Sequence, residues 1–300
     1  MVTLSVCLIV KNEEAHIKDC LNSIKGADEI IVLDTGSDDK TCEIARQFFI
    51  ENPEQLFRVI ENSYKWEDSF CKARNKVLSF SDGDWILSID ADETLEEGGI
   101  EKIRQEIEKV KEKAKTINIK LLSKRGKDVH YFPRVFKRCP EVYWCGAIHN
   151  YLNVSEQNNT DIKIYYGYSE AHKKDPDRAF RILKKEVDAN PKCTREKFYL
   201  AREYWYRRNY QKAIDIYNEY LKVAYWAPEI SEAHMVKGRC LMGLGKYDKA
   251  KDSLLQAIKI NSNFKEAIIL LAKICGPGNM KRWNGFAETA TNEGVLFVRT

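Results

Sequence analysis

Short apolar runs alternate with amphipathic stretches through the first half of the chain. Leu4 to Val10 is a continuous β-prone run, and from Glu14 to Lys25 the apolar positions fall at helical spacing through Ile17, Leu21 and Ile24. Glu29 to Leu33 predicts a second buried strand, closed by the turn-forming cluster Asp34-Thr35-Gly36-Ser37. Thr41 to Ile50 predicts a helix, Phe57 to Ile60 a strand, Ser69 to Phe80 a helix and Trp85 to Ile89 a short buried strand. Strands covered on both faces read as uninterrupted apolar runs, and their alternation with helices is the mark of an α/β fold with a parallel sheet. A long charged helix follows Gly98-Gly99 to about Lys115. β-like segments then cover Ile117 to Leu122, Tyr131 to Phe136 and Ile162 to Tyr168.

Near His172 the period changes. From there to about Cys275 the pattern is helical almost throughout, and it repeats itself. Ala201, Tyr204, Tyr210, Ala213 and Tyr217 recur as Gly238, Leu241, Tyr247, Ala250 and Leu254, a constant offset of 37. Half a unit earlier, Ala179 and Leu183 stand 34 residues before Ala213 and Tyr217. Small residues at helix crossings, with large ones beside them, let paired helices stack closely. The set resembles the tetratricopeptide repeat, whose period is about 34 residues. The surplus fits a longer connection around Ala227-Pro228. Such units bury a continuous core only by stacking. The expected division is an α/β domain over residues 1–170 and an all-α repeat domain over residues 171–300.

The 300 residues are enough for two such cores. With 44% hydrophobic residues and a net charge of +4, the chain is too apolar for a disordered one. No apolar run approaches the ~18 residues of a membrane span. Thr3 to Val10 lacks the basic flank and cleavage site of a signal peptide. Nine scattered cysteines with no C-x-x-C pair point to reduced thiols and a cytoplasmic location. Charge, however, is unevenly divided. Residues 1–162 carry 23 basic and 29 acidic side chains, a net −6, whereas residues 163–300 carry 26 and 16, a net +10. The second half reads either as a solvated helical surface or as a basic face for a polyanion such as nucleic acid, phosphorylated lipid or acidic protein.

Candidate chemistry concentrates at strand ends. From Asp84 the apolar run Trp85-Ile86-Leu87-Ser88-Ile89 leads into Asp90-Ala91-Asp92-Glu93. Along an extended strand, residues two apart project to one side, so Asp90 and Asp92 are expected to face together. They stand at the end of the strand where open α/β sheets bind ligands. Two such carboxylates repel unless a cation lies between them, and hard oxygen ligands suit Mg²⁺ or Mn²⁺ bridging to phosphates. A lone Asp-x-Asp equally fits a solvated turn in which Asp92 or Thr94 caps the next helix. Two other strand ends share the layout. Leu4 to Val10 runs into Lys11-Asn12-Glu13-Glu14, and Glu29 to Leu33 runs into Asp34, which is placed to accept bonds from a base or ribose. Ser37 and Asp38 also fit plain turn formation. Ala73-Arg74-Asn75 falls on a helix, where Arg74 offers a fixed cation to a diphosphate or to the Asp-x-Asp pair.

In order, Lys11-Asn12-Glu13-Glu14, Asp34-Thr35-Gly36-Ser37, Ala73-Arg74-Asn75 and Asp90-Ala91-Asp92-Glu93 resemble the family 2 glycosyltransferases of GT-A fold, in the branch with C-terminal tetratricopeptide repeats. The resemblance is close over roughly residues 3–95 and looser over the repeats. It implies a Rossmann-like, mostly parallel GT-A sheet, and transfer of a sugar from a nucleotide-sugar donor, foremost a UDP-sugar, usually with inversion. It implies that Val10, Glu13 and Asp34 hold the nucleoside, with Arg74, Asp90 and Ala91 beside the ribose and diphosphate. Asp92, with Asp90, would ligate Mn²⁺ or Mg²⁺, and His172 at the domain junction would be a third ligand. The cation would offset charge on the departing diphosphate, and inversion needs one base to deprotonate the acceptor.

One segment departs from the family pattern. Tyr143-Trp144-Cys145-Gly146-Ala147-Ile148-His149-Asn150 matches "W-x-G-x-x-H-E" except that Asn150 replaces Glu, and Asn cannot take a proton. His149, Glu93 and Glu141 are the substitutes for a base, beside Asp92 in the catalytic set. The acceptor is left open among protein, nucleic acid and glycan, a polyanion matching the basic half. Two rival readings remain: an inactive GT-A and repeat scaffold that binds a partner, and a nucleotidyltransferase. The second is disfavoured because Val10-Lys11-Asn12-Glu13 lacks a glycine-rich phosphate loop. Gly276 to Thr300, with Trp283, Phe286 and the run Gly294 to Arg299, is expected to pack back on the body, with a strand as its simplest form.

Overall fold

The computed structural model describes residues 2–110, 113–123, 129–154, 156, 158–167 and 175–297. The chain forms two compact units, Met1–Pro176 and Asp177–Thr300.

The first unit carries β1 (Leu4–Val10), α1 (Ile17–Ser23), β2 (Glu29–Asp34), α2 (Thr41–Glu51), β3 (Phe57–Ile60), α3 (Phe70–Leu78), β4 (Trp85–Ser88), β5 (Glu93–Leu95) and α4 (Gly99–Val110). It continues with β6 (Thr116–Ser123), β7 (Val129–Lys137), β8 (Trp144–Cys145), β9 (Tyr151–Leu152) and β10 (Asn159–Tyr166). Eight strands form one sheet in the order β3-β2-β1-β4-β7-β6-β10-β5, while β8 and β9 pair apart from it. From β3 to β4 the pairings are parallel. β7 then runs antiparallel between β4 and β6, β10 returns parallel to β6, and β5 closes the edge antiparallel.

The uninterrupted apolar runs have a direct cause: both faces of the central strands are covered. On β1, Leu4, Val6, Leu8 and Val10 enter one core with α1, α2 and α4, while Cys7 enters a second core containing Val77 of α3. β2 divides likewise, Ile30 and Val32 on one side and Ile31 and Leu33 on the other. The chain winds outward from β1 to β3, then returns to lay β4 on the other flank of β1. This is a topological switch point, and the crevice outside the C-terminal ends of β1, β2 and β4 is where such sheets accept ligands. At the opposite end the strands meet closely. A Cβ on Gly83 would stand 2.6 Å from the Ser5 backbone nitrogen, so glycine is required there.

The second unit is helical: α5 (Arg178–Ala189), α6 (Arg195–Tyr206), α7 (Tyr210–Tyr220), α8 (Ala227–Gly243), α9 (Tyr247–Ile260), α10 (Lys265–Ile274) and α11 (Pro277–Thr289). The repeated small positions sit where the helices cross. Ala201, Ala213 and Ala250 are fully buried, and a Cβ on Gly238 would come within 2.8 Å of Leu254. Phe198 packs on Tyr220 with ring centroids 5.5 Å apart. Ion pairs join successive hairpins: Arg195 to Glu229 at 2.9 Å, Arg202 to the fully buried Glu232 at 2.7 Å, and Arg239 to Glu266. The last segment does pack back, but no strand forms among its described residues. α11 takes up Pro277–Thr289, the Asn292 N–H donates to the Asn263 carbonyl at 3.0 Å, and the Phe297 ring centroid lies 3.8 Å from the Arg202 guanidinium.

Candidate functional site

Two turns line the crevice beside β1 and β2. Asp34, the last residue of β2, is nearly buried, and its carboxylate accepts the Gly36 N–H at 3.1 Å and the Ser37 N–H at 3.0 Å. Gly36 has φ +106°, a backbone region that side chains disfavour. The Thr35 N–H and hydroxyl both donate to the Val10 carbonyl at 3.0 Å, which holds the ends of β1 and β2 together. The turn after β1 is tied to the turn after β2 in turn. The Asn12 N–H donates to Ser37 Oγ at 3.0 Å, the Asp38 N–H to Asn12 Oδ1 at 2.9 Å, and the Glu13 N–H to Thr41 Oγ1 at 2.7 Å. Val10 is buried, so its part is played by backbone, and Glu13 is half-buried. An aspartate keeps about four acceptor positions on two oxygens, so Asp34 can shape its own turn and still receive a ligand donor.

Beyond β4 lies a second cluster. Ser69 caps α3, accepting the Lys72 N–H at 3.4 Å, and this sets the register of Ala73, Arg74 and Asn75. Ala73 packs inside. Asn75 clamps Trp144, donating to its carbonyl and accepting its N–H, both at 2.9 Å. Arg74 reaches the crevice: Nη2 bonds Asp90 Oδ1 at 2.6 Å, Nη1 bonds Ser88 Oγ at 3.1 Å, and Nε bonds Asn150 Oδ1 at 3.4 Å. Its guanidinium also lies 5.0 Å from the Trp144 ring centroid. On the other side of Asp90 stands Arg134 of β7, buried, 3.4 Å from Asp90 Oδ2 and 2.5 Å from Glu93 Oε1. Burial works against the ionisation of Asp90, but Arg74 and Arg134 outweigh it and hold that carboxyl down at about 2. Glu93 behaves oppositely. Burial pushes it up to about 7, against the pull of Arg134 and helped by Asp90 and Asp92.

The Asp90–Glu93 segment is not extended. β4 ends at Ser88, and the Glu93 N–H donates to the Asp90 carbonyl at 3.0 Å, so these residues form a turn. Glu93 Oε2 accepts the Asp90 N–H at 2.9 Å and closes the turn a second time. The alternation that was to place Asp90 and Asp92 on one face of a strand therefore does not apply. Asp92 instead sits half-exposed on a turn whose neighbours Ala91 and Glu93 are buried.

Residues 5–134 match the family model for glycosyl transferase family 2, and residues 199–272 match a tetratricopeptide repeat model. Residues 5–134 are a family 2 glycosyltransferase domain. Among curated proteins, the chain is similar to a TPR repeat-containing protein of Synechococcus elongatus, 43% identical over 96 residues, 32% of this chain and 22% of the relative. It is also similar to the SPbeta prophage-derived glycosyltransferase SunS of Bacillus subtilis, 41% identical over 92 residues, 30% of this chain and 20% of SunS. The match thus spans about a fifth of the length of these relatives. Among solved structures, S. aureus TarS 1–349 overlays with a TM-score of 0.44 and 13% identity, covering 96% of this chain and 90% of that one.

Within the glycosyltransferase domain, the structure brings Arg74, Asp90, Ala91, Asp92 and Glu93 together, with Val10, Glu13 and Asp34 across the switch point. His149 is exposed on the loop whose next residue, Asn150, bonds Arg74, and it has φ +53°. His172 lies outside the described residues. Glu93 is too enclosed to meet an acceptor, since one oxygen faces Arg134 and the other the Asp90 N–H. Glu141 pairs with Lys115 at 4.0 Å, beside the sheet end where β4 begins rather than where it stops. Arg134 escaped the sequence reading altogether. Its one signal is a lone arginine inside the apolar run Tyr131 to Phe136.

The donor set bears on the expected cation. Among the described residues no group of three His, Cys, Asp or Glu side chains gathers as a metal cage. Both oxygens of Asp90 face guanidinium groups, so Asp90 serves Arg74 and Arg134 as a counter-ion here. The cluster nonetheless fits a divalent ion. Arg74 and Arg134 are each engaged by protein carboxylates, so a diphosphate gains little from them alone, and Asp92 adds a further carboxylate to the same turn. One carboxylate plus substrate phosphates is a common way to hold Mg²⁺.

Proposed function

We infer that the chain is a glycosyltransferase dependent on a divalent cation, moving a sugar from a nucleotide sugar, foremost a UDP-sugar, to an acceptor recruited by the helical repeats. The observation that carries this reading is the pairing of Asp34, at the end of β2, with the Arg74–Asp90–Arg134 cluster beyond β4, on the two flanks of β1. Asp34 and its turn receive the nucleoside. Arg74, held by Ser88, Asp90 and Asn150, presents a fixed cation toward the diphosphate. Asp92 would hold Mn²⁺ or Mg²⁺, which when bound supplies Lewis-acid stabilisation of the leaving diphosphate. Inversion requires one proton acceptor for the attacking group of the acceptor. His149 takes that role in this reading, because Asn150 cannot and Glu93 is enclosed.

No described helix is long and apolar enough to cross a membrane, and none of the nine cysteines forms a disulfide. Free thiols suit the cytoplasm, where nucleotide sugars are made, and we place the reaction there.

The test is a panel of nucleotide sugars with Mn²⁺ or Mg²⁺, read as nucleoside diphosphate release with and without candidate acceptors. Slow metal-dependent hydrolysis of one UDP-sugar is expected even without acceptor. Silence across the panel from folded protein would favour the inactive scaffold, which Asn150 in place of a proton-accepting residue already suggests.

A further inference from the structure

The basic half of the chain holds a site that the donor crevice does not use. Between α7, α8 and α9 lies a cavity of about 420 Å³. Lys237 of α8, Lys246 before α9 and Lys249 of α9 line it, together with the amide side chains of Gln211 and Asn218 on α7. The carboxylate at its wall, Asp252, pairs with none of these lysines. Indeed none of the three forms an ion pair with any described carboxylate, and Lys246 Nζ donates instead to Gln211 Oε1 at 3.2 Å. Exposed lysines elsewhere in the unit, such as Lys212, Lys222 and Lys259, also form no ion pair with a described carboxylate, so it is the shared concavity that sets these three apart, while other basic side chains are neutralised. Arg195, Arg202, Arg207, Arg239, Lys184 and Lys251 all have acidic partners.

Lys237 is half-buried, and that burial pulls its ammonium below the usual lysine range. One helical turn earlier, His234 is pushed down to about 4, by burial first and then by Lys237. It is therefore neutral and adds no charge of its own. Its Nδ1 is buried with no hydrogen-bond partner among the described residues. Exposed Lys246 and Lys249 and half-buried Lys237 border one concavity, and a compact anion carrying more than one charge and several acceptor oxygens suits such a lining.

We propose that the cavity between α7, α8 and α9 is a phosphate-binding site, in which Lys237, Lys246 and Lys249 hold a phosphoryl group while the Asn218 amide donates to a remaining oxygen and Gln211, whose Nε2 donates to Asp215 at 2.9 Å, positions Lys246. The cavity exceeds a single phosphate, so the ligand is a phosphorylated organic group and not the free ion alone. Lysine binds phosphate as a point charge without fixed fork geometry, so affinity here is governed by charge and falls with salt. The site stands independently of the glycosyltransferase reading.

The test is calorimetric titration of the full chain with inorganic pyrophosphate in EDTA, which removes divalent ions from the donor crevice. One equivalent should bind in the wild type. The double variant K237Q/K249Q should lose at least tenfold in affinity, while K259Q, which removes one charge from the exposed end of α9, should bind as the wild type does. Thermal unfolding of each variant establishes that it is folded. Unchanged binding in K237Q/K249Q would overturn the site, as would an equal loss in K259Q. Equal affinity for tricarballylate, a carboxylate of similar charge, would overturn the assignment to phosphate.

Discussion

Replacing Arg134 with methionine is expected to loosen the first unit by about 3 kcal/mol, at the lower end of the cost of breaking a buried ion pair. The variant removes the partner of Glu93 Oε1 and one of two cations beside Asp90. Glu93 already resists ionisation and would take up a proton in the variant, which limits the penalty. Because the chain has two units, a single global unfolding free energy is ill defined, and a local readout is preferable. Amide hydrogen exchange at β4 and β7 should accelerate by about two orders of magnitude, since each 1.4 kcal/mol is about tenfold. The double variant R134M/E93Q should recover part of that protection, because neither a charge nor its partner is then left alone. Unaltered exchange in R134M would mean that the Arg134–Glu93–Asp90 network does not support the turn.

Asp92→Ala is the substitution with the largest expected effect on activity. Turnover of the nucleotide sugar should fall by about 10³-fold, corresponding to several kcal/mol of lost stabilisation of the leaving diphosphate. The protein should stay folded, because Asp92 is a half-exposed turn residue while the contacts that close the turn belong to Asp90 and Glu93. Residual activity should no longer respond to Mn²⁺ or Mg²⁺. Asp90→Asn should differ: it removes the carboxylate that Arg74 and Arg134 share and leaves Arg134 with Glu93, so both stability and turnover decline. Near-normal turnover in Asp92→Ala, with metal dependence intact, would remove Asp92 from the role assigned to it.

Much of this arrangement is legible in the chain because it follows from local rules. β1, β2 and β4 are visible because burial on both faces makes them uninterrupted apolar runs, and Asp34 and Asp90 mark where the second and third of those runs stop. The helical repeat is visible because Ala201, Ala213, Gly238 and Ala250 must be small where helices cross. What stays hidden depends on distant pairing. Arg134 meets Glu93 and Asp90 only because β7 lies antiparallel beside β4, and nothing near position 134 announces that neighbour. The geometry of Asp90 and Asp92 is hidden because the apolar run through Ile89 suggests a strand that in fact ends at Ser88, where Glu93 folds back on the Asp90 N–H. β5, β8 and β9 are two or three residues long and carry no period of their own. The run Gly294 to Arg299 suggests a strand, but none forms among its described residues, and the chain before it, starting at Pro277, forms α11.

The central claim is that a diphosphate is held across the ends of β1, β2 and β4. It is tested most directly by a crystal structure of the chain with Mn²⁺ and a UDP-sugar. The account predicts the nucleoside against the Asp34 turn, the ion on Asp92, and the phosphates between that ion and Arg74. A nucleotide bound elsewhere, or an ion held without Asp92, would contradict it.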